Sequence, residues 1–137
     1  EIMLSKEKVW AQSIVDAVLD NPTANELFTG GEYELPGIGY VDGLPFRAKA
    51  DCLNGDRIVD LKTTSDIDSW HYNMDLYGYD AQAYIYMTIF KKKRFTFVIV
   101  DKKTLKVKTY DATPDDIQRG YEKVSEAIGN YIDGVGF

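Results

Sequence analysis

The chain of 137 residues contains a single cysteine, Cys52, so it cannot form an internal disulfide. A small secreted domain held together by disulfides is therefore excluded, and a lone thiol fits a reducing cytoplasm. No apolar run approaches the roughly 20 residues of a membrane-spanning helix, and no signal peptide is recognisable. We expect a cytoplasmic protein without a membrane partner, in which Cys52 is a buried thiol rather than a nucleophile.

Positive charge is scarce as well. The chain has 16 Lys and Arg against 22 Asp and Glu, which gives a formal net charge of −6. This balance disfavours a protein that coats nucleic acid non-specifically. Basic residues nevertheless gather between positions 91 and 108, beginning with Lys91, Lys92, Lys93 and Arg94. Such a stripe either follows a phosphate backbone or keeps a strand edge soluble, and the sequence leaves both interpretations open.

Residues 51–62 predict a β-hairpin with one charged face. Asn54-Gly55 is a strong signal for a two-residue type I′ turn, which pairs Leu53 with Asp56 and sets the register of both strands. This register sets three further pairs of residues opposite each other: Asp51 with Ile58, Lys49 with Asp60, and Arg47 with Lys62. Because side chains alternate along a strand, the charged residues share one face and apolar residues occupy the other.

Asp51 and Asp60 lie diagonally on neighbouring strands in this register, about 7–8 Å apart, so their carboxylates can converge on one ion. Mg²⁺, for which Mn²⁺ can substitute, prefers oxygen ligands and takes only one or two protein carboxylates beside a substrate phosphate. Lys62, on the same face, can hold water or stabilise charge on that phosphate. These are the parts that phosphodiester hydrolysis needs. The alternative is an ion-paired, solvated strand face.

The next segment makes the pattern more specific. Val59-Asp60-Leu61-Lys62-Thr63-Thr64 is followed, after a loop, by Tyr77-Gly78-Tyr79-Asp80-Ala81-Gln82-Ala83-Tyr84-Ile85-Tyr86. This order resembles the PD-(D/E)xK nuclease superfamily and, within it, the C-terminal nuclease domain of the RecE-like (exodeoxyribonuclease VIII type) exonucleases of phages and prophages. Further helices precede this point in such relatives and the chain begins with Glu1, so we expect a single nuclease domain, residues 1–137, from a longer chain.

The resemblance implies a role for each matching residue. It implies that Asp51, Asp60 and the Leu61 carbonyl are metal ligands and that Lys62 is the catalytic lysine. It also implies that Gln82 and Tyr86 form the Q-x-x-x-Y motif of the active site. The chain departs from the family pattern at Ala50, which stands where the family has Pro, and at Asp60, which stands for Glu. Both carboxylates are retained.

Independently of the family, Tyr79, Gln82 and Tyr86 share one face of a helix predicted over residues 75–89. Gln82 is either a solvent-facing residue or a group that orients Lys62, water or the phosphate, and its place after D-x-K favours the second.

The superfamily also uses an acidic residue upstream of the hairpin. We favour Glu34, with Glu32 and Glu26 as alternatives, although each can equally be a surface residue. The candidate contacts to DNA are the basic residues Arg47, Lys49, Lys91, Lys92, Lys93 and Arg94. Aromatic residues at 70, 72, 77 and 79 can stack on unpaired bases or simply pack together, and His71 is expected to be a loop histidine.

The resemblance implies a Mg²⁺-dependent deoxyribonuclease that digests linear duplex DNA from an end and leaves a single-stranded tail for recombination. Its implied partners are double-stranded DNA ends, a single-strand annealing recombinase and further copies of the chain in a homo-oligomeric ring. An endonuclease or a Cas4-like or repair nuclease of the same fold is the alternative. A non-catalytic DNA-binding or assembly module is the third possibility, against which the intact acids, lysine and glutamine argue.

Hydrophobic periodicity and turn signals predict an α/β fold, in which a mixed sheet of the restriction-endonuclease-like type is flanked by helices. The predicted helices are 5–19, capped by Ser5, then 22–28, 75–89 and a closing helix that starts at Thr113-Pro114 and runs to about 132. The predicted strands are 33–41, 45–53, 57–63, 94–100 and 105–110.

Overall fold

A computed structural model of the chain describes residues 5–134, and the side chain of Ser5, with its predicted cap, lies outside the described part. The elements in chain order are α1 (Ser5–Asp20), α2 (Pro22–Phe28), β1 (Glu32–Val41), β2 (Leu44–Asn54), β3 (Arg57–Thr64), α3 (Trp70–Leu76), α4 (Tyr79–Phe90), β4 (Arg94–Asp101), β5 (Val107–Asp111) and α5 (Pro114–Gly134). The strands form one sheet in the order β1-β2-β3-β4-β5, in which only β3 and β4 run parallel. The predicted mixed sheet flanked by helices is confirmed.

The central strands β3 and β4 are buried on both faces. On one face, Ile58, Phe95 and Phe97 pack with residues of α3 and α4. On the other face, Val59 and Val98 pack with residues of α1 and α2. A parallel strand pair covered on both sides explains why this stretch of sequence is a nearly continuous apolar run rather than an alternating one.

Local capping signals in the sequence decide two of the helix starts. At α5, Thr113 and Asp116 form a reciprocal capping box: the Asp116 N–H donates to Thr113 Oγ1 at 3.1 Å, and the Thr113 N–H donates to Asp116 Oδ2 at 2.9 Å. At α2, the Asn21 side chain accepts from the Ala24 N–H at 3.0 Å. None of the helices within residues 5–134 is long and apolar enough to cross a bilayer.

The single helix predicted over residues 75–89 is wrong, because the chain forms two helices there. Gly78 has a φ of +72°, a conformation that ends α3 and lets α4 start at Tyr79 in a new direction.

Two further elements differ from the prediction. His71 lies in α3 rather than in a loop. Strand β5 also starts two residues later than predicted, since the Asp101 carboxylate accepts the N–H groups of Lys103 and Thr104 and closes a turn.

Strands β1 and β2 extend beyond the rest of the sheet as a two-stranded arm that lies on α4. The arm approaches the helix through glycines: a Cβ at Gly37 would lie 2.7 Å from Phe90 Cε1, and one at Gly39 would lie 3.5 Å from Ile89 Cγ1. A larger side chain at Gly37 would therefore require the Phe90 ring or the arm itself to shift.

Helices α4 and α5 are joined by a close backbone contact and by buried charge. Gly120 lies against α4 so closely that a Cβ there would come within 2.2 Å of the Asp80 carbonyl oxygen. The fully buried Asp80 carboxylate pairs with Arg119 at 2.6 Å and with Lys123 at 2.9 Å. Arg119 also pairs with Asp116 at 3.0 Å. These contacts hold the start of α4, where Tyr79 lies, against the closing helix.

We expect Gly120→Ala to destabilise the fold by about 1–3 kcal/mol, because the new methyl group would overlap backbone that cannot move aside easily. Gly129→Ala is the matched control, since a Cβ at Gly129 meets nothing within 4 Å. That substitution should stabilise the helix by about 0.5–1 kcal/mol. Chemical denaturation of both variants measures the difference, and equal stabilities would contradict the close contact.

Asp116 gives the fold a specific sensitivity to acid. Burial alone would raise the pKa of this carboxyl, but hydrogen bonds from the Thr113 N–H, the Tyr110 hydroxyl and Arg119 outweigh burial and lower it below the usual 3.8. Burial, with Asp116 next, in turn raises the pKa of Tyr110 to about 12. A carboxyl with a lowered pKa in the folded state stabilises the fold above its unfolded pKa, and this stabilisation is lost as the pH falls through the folded pKa.

We therefore expect Asp116→Asn to flatten the loss of stability below about pH 4. At neutral pH the variant should be less stable than the wild type, because the pair with Arg119 is weakened. Melting temperatures at pH 7 and pH 3 measure the effect. The exposed neighbour Asp115 supplies the control, since Asp115→Asn should keep the acid dependence of the wild type.

Candidate active site

The β2–β3 hairpin turns one residue later than predicted. Asn54 pairs with Arg57, so the turn residues are Gly55 and Asp56 instead of Asn54-Gly55. The reason is tertiary: the Asn54 side chain donates to two carbonyl oxygens at the end of α2, at 2.9 and 3.0 Å, and this holds Asn54 within the strand. The pairing of β2 with β3 therefore differs from the predicted pairing by two residues. Because side chains alternate with a period of two, each paired side chain keeps its predicted face of the sheet.

The ladder between β2 and β3 ends at the pair Cys52–Val59, and the two strands then separate. Continuing the register sets Asp51 directly opposite Asp60, rather than diagonally as predicted. At the point of separation the Asp51 carboxylate replaces the β2 backbone as the partner of β3, because Asp51 Oδ2 accepts from the Leu61 N–H at 2.8 Å. The first acid is thus fixed by a backbone donor of the D-x-K segment itself.

The predicted charged face does not continue past Asp51. Lys49 and Arg47 pair with Pro36 and Ile38 of β1, and not with Asp60 and Lys62 as predicted. Strand β2 also changes sides here, since Ala50 packs in the cluster beneath α4 while Cys52 packs in the cluster beneath α1 and α2.

Arg47 and Lys49 are consequently exposed on the arm, away from the face that carries Asp60 and Lys62. Cys52 is fully buried, as predicted. Burial, with Asp51 next, raises the pKa of the Cys52 thiol.

Asp60 is a buried carboxylate with an incomplete set of partners. The residue is only 3% exposed, and its Oδ2 atom lies 3.1 Å from Lys62 Nζ but receives no hydrogen bond of good geometry. Burial raises the pKa of Asp60 to about 7; Lys62 counteracts this rise and Asp51 adds to it. A buried, charged oxygen of this kind is costly unless a cation or a proton neutralises it.

Lys62 is held between the second acid and an aromatic ring. Its ammonium lies 4.4 Å from the centre of the Tyr79 ring, at the start of α4. Tyr79 stacks in turn on Trp70, with 5.7 Å between the ring centres. A lysine in such surroundings has few alternative positions, so its ammonium stays beside the Asp60 carboxylate.

The residues present suit a hard divalent cation. Asp60 Oδ2 lacks a hydrogen bond, Asp51 lies opposite, and the Leu61 carbonyl points to the same edge of β3 as the Leu61 N–H that Asp51 binds. Within residues 5–134, no group of three or more His, Cys, Asp or Glu side chains is arranged for a metal. A donor set of two carboxylates and a carbonyl matches Mg²⁺, which keeps waters and takes substrate phosphate oxygens.

Gln82 and Tyr86 lie on α4, which runs back along the sheet from the site. Tyr79 is beside Lys62 at one end, and Tyr86 packs on Phe95 with 6.3 Å between ring centres. Gln82 lies between them on the helix, is half-buried, and its side-chain amide has no hydrogen-bond partner among the described residues. The Gln82 amide is therefore free of partners within the described residues, whereas the partly buried Tyr86 ring packs against the core.

The candidate upstream acids occupy different places. Glu34 lies opposite Asp51 in the β1–β2 register, between the pairs Tyr33–Cys52 and Leu35–Ala50, and has a φ of +55°. Its carboxylate pairs with the exposed Lys49 at 3.0 Å.

Glu26 lines a polar cavity near the hairpin turn that none of Asp51, Asp60 and Lys62 lines. Glu32, at the start of β1, is exposed and pairs with Leu53 in the register. By position, Glu34 remains the candidate nearest to Asp51.

The basic stripe predicted between residues 91 and 108 is divided by strand β4. Lys91–Arg94 lie at the hairpin turn, where Lys92 Nζ donates to the Gly55 carbonyl at 2.8 Å and Arg94 pairs with Asp56 at 3.0 Å. The remaining lysines follow β4, a strand of about 25 Å, at its other end. Lys92 and Arg94 thus have partners within the protein. Contacts of Lys91–Arg94 with DNA stay a prediction.

Two features of the site were not predicted from the sequence. The first is the contact between Lys62 and Tyr79, which only the packing of α4 on β3 creates. The second is the salt-bridge network of Asp80 with α5. The spacing of Arg119 and Lys123, two cations four residues apart in an acidic chain, is the signal that could have indicated it.

The family described as a PDDEXK-like domain of unknown function (DUF3799) matches residues 1–134. The chain belongs to this PDDEXK-like family. Membership confirms the predicted superfamily, and the mixed sheet flanked by helices is the α+β fold of these nuclease-like domains. No curated protein matches the chain.

Two of the solved structures that resemble this PDDEXK-like domain illustrate its fold. A candidate exonuclease from Eubacterium rectale superposes with a TM-score of 0.76 at 19% identity, over 94% of this chain and 54% of that protein. The protein SSO0001 superposes with a TM-score of 0.50 at 13% identity, over 90% of this chain and 58% of that protein. At these identities the likeness shows the fold alone, and this chain spans little more than half the length of either structure.

We expect Mg²⁺ or Mn²⁺ to raise the melting temperature of the protein, since a cation would neutralise the buried Asp60 and its neighbour Asp51. At a hundredfold excess of ion over its dissociation constant the gain is about 2.7 kcal/mol. Asp60→Asn should abolish this shift. Asp56→Asn, which removes the same charge from an exposed position of the same hairpin, should keep it. Equal shifts in the wild type and in Asp60→Asn would contradict a metal site here.

Proposed function

We propose that the chain is the nuclease domain of a metal-dependent exodeoxyribonuclease, which hydrolyses phosphodiester bonds of linear duplex DNA from an end. The observation that carries this proposal is the buried Asp60 oxygen without a hydrogen bond, opposite Asp51 and 3.1 Å from Lys62 Nζ. Two carboxylates and a restrained lysine meet at the point where the sheet separates. Membership in a PDDEXK-like family supports the same chemistry.

Each residue of the site has a distinct task in this proposal. Asp51, Asp60 and the Leu61 carbonyl hold Mg²⁺, or Mn²⁺ in its place. When bound, such an ion polarises the phosphate and stabilises the leaving oxygen. Lys62 orients the attacking water and offsets charge on the phosphate, because Asp60 and Tyr79 restrain its ammonium.

The side-chain N–H of Gln82 donates a hydrogen bond to the phosphate or to the attacking water. Tyr86 supports α4 by packing against the core.

The biological setting that we propose follows from the resemblance to RecE-like enzymes of phages and prophages. The product would be a single-stranded tail that a single-strand annealing recombinase takes up. The net charge of −6 supports recognition of DNA by threading an end through a homo-oligomeric ring, since an acidic surface binds duplex poorly along its length. Exposed Arg47 and Lys49 on the arm, with Lys91 and Lys93, are the proposed contacts to the phosphate backbone.

Cleavage of a linear duplex and of the same DNA as a closed circle tests the proposal. In Mg²⁺ the wild type should degrade only the linear form. Asp51→Asn and Asp60→Asn should abolish degradation without unfolding the protein, and Lys62→Ala should lower the rate by about 10²- to 10³-fold. Lys8→Ala, which removes an exposed lysine from α1, is the matched control and should cleave normally.

The other outcomes separate the alternatives. Cutting of both forms would identify an endonuclease or a Cas4-like or repair nuclease. No cutting of either form, or normal cutting by Asp60→Asn, would overturn the proposed chemistry and favour a DNA-binding or assembly module.

A further inference from the structure

A row of aromatic rings leads from the core past Lys62 to the surface. It starts at Trp70, which is 1% exposed, continues with Tyr79 at 5.7 Å between ring centres, and ends at Tyr77, a further 5.9 Å away. Lys62 Nζ lies over the middle ring, that of Tyr79, at 4.4 Å. The outermost ring is therefore one ring away from the lysine of the site.

Tyr77 differs from its neighbours in the row because its ring is exposed to solvent and can therefore be reached by a ligand. It is 63% exposed although its ring is in contact with Tyr79, whereas Tyr79 is partly buried and Trp70 is part of the core. Tyr72 is similarly exposed, at 68%, but no ring contact joins it to the row. An exposed aromatic ring that packs against a neighbouring ring, as Tyr77 does on Tyr79 at an interplanar angle of 41°, is a restrained platform on which a planar group can stack at little entropic cost.

We infer that Tyr77 is a stacking platform for an unpaired base next to the scissile phosphate. The inference rests on the proposed function, since it takes the phosphate to lie at Lys62. Nucleobases are the planar groups carried by the sugars on either side of such a phosphate, and stacking on an aromatic ring is tolerant of base identity because every base has a π-face. A base that is still paired and stacked within a duplex cannot present this face.

The platform therefore assigns a substrate class to the site: DNA whose terminal nucleotides are unpaired, either as a short tail or by fraying. Tyr77 acts as a positioning residue, because it holds the nucleotide whose phosphate is attacked by the water that Lys62 orients. A blunt end offers Tyr77 only the outer face of its terminal base pair, so it has to open before an inner base gains this contact, and opening costs a few kcal/mol of unstacking and unpairing.

Steady-state cleavage of two linear duplexes, one blunt and one with a short unpaired tail, tests the inference. Tyr77→Ala should raise KM for the tailed duplex roughly tenfold and leave kcat nearly unchanged, because the contact serves binding. Tyr77→Phe should restore the KM of the wild type, since stacking needs the ring and not the hydroxyl. Tyr72→Ala is the matched control and should leave KM unchanged.

Thermal melting of each variant accompanies the kinetics, so that a loss of folding is not taken for a loss of stacking. An equal KM for Tyr77→Ala and Tyr72→Ala, with normal cleavage by the wild type, would overturn the platform and leave the proposed nuclease intact. A raised KM that Tyr77→Phe fails to restore would also overturn it. Absence of cleavage by the wild type would instead overturn the proposed function on which the platform rests.

Discussion

The hydrogen bond from the Leu61 N–H to Asp51 Oδ2 is the interaction around which the site is organised. It occurs where β2 leaves β3, so a carboxylate satisfies a backbone donor that would otherwise lose its partner inside the protein. The same bond fixes one acid of the site and leaves the Leu61 carbonyl on the edge that faces it. The strands separate at the point where the continued register sets Asp51 opposite Asp60, so the two acids lie beside the gap between β2 and β3.

Around this bond the fold concentrates charge that is costly in isolation. Asp60 is buried in the sheet, and Lys62 is held between it and the Tyr79 ring. The ring itself depends on a second buried pair, because Asp80, the next residue, is fixed by Arg119 of α5. The closing helix therefore stabilises the site without contributing a side chain to it, through charges that would be strongly destabilising if one partner were removed.

The comparison between sequence and structure separates local from long-range effects. The capping box of Thr113 and Asp116 was readable, since it joins residues three apart in the chain. The turn at Asn54 was not, because its amide binds carbonyl oxygens of α2 that are 25 and 27 residues away. The break at Gly78 was missed because the helical spacing of apolar residues continues across it, although the backbone turns there.

By itself, the sequence determined the order of helices and strands apart from α3, the burial of the single thiol, and the D-x8-D-x-K spacing that joins both acids and the lysine to neighbouring strands. Alternation along a strand and capping at a helix end are local rules, so they hold before the chain folds. Only the tertiary structure decided that Arg47 and Lys49 lie away from the acids, that Lys62 lies over Tyr79, and that the basic stripe is divided. Each of these depends on where strands separate and helices pack, which contacts between residues distant in sequence determine.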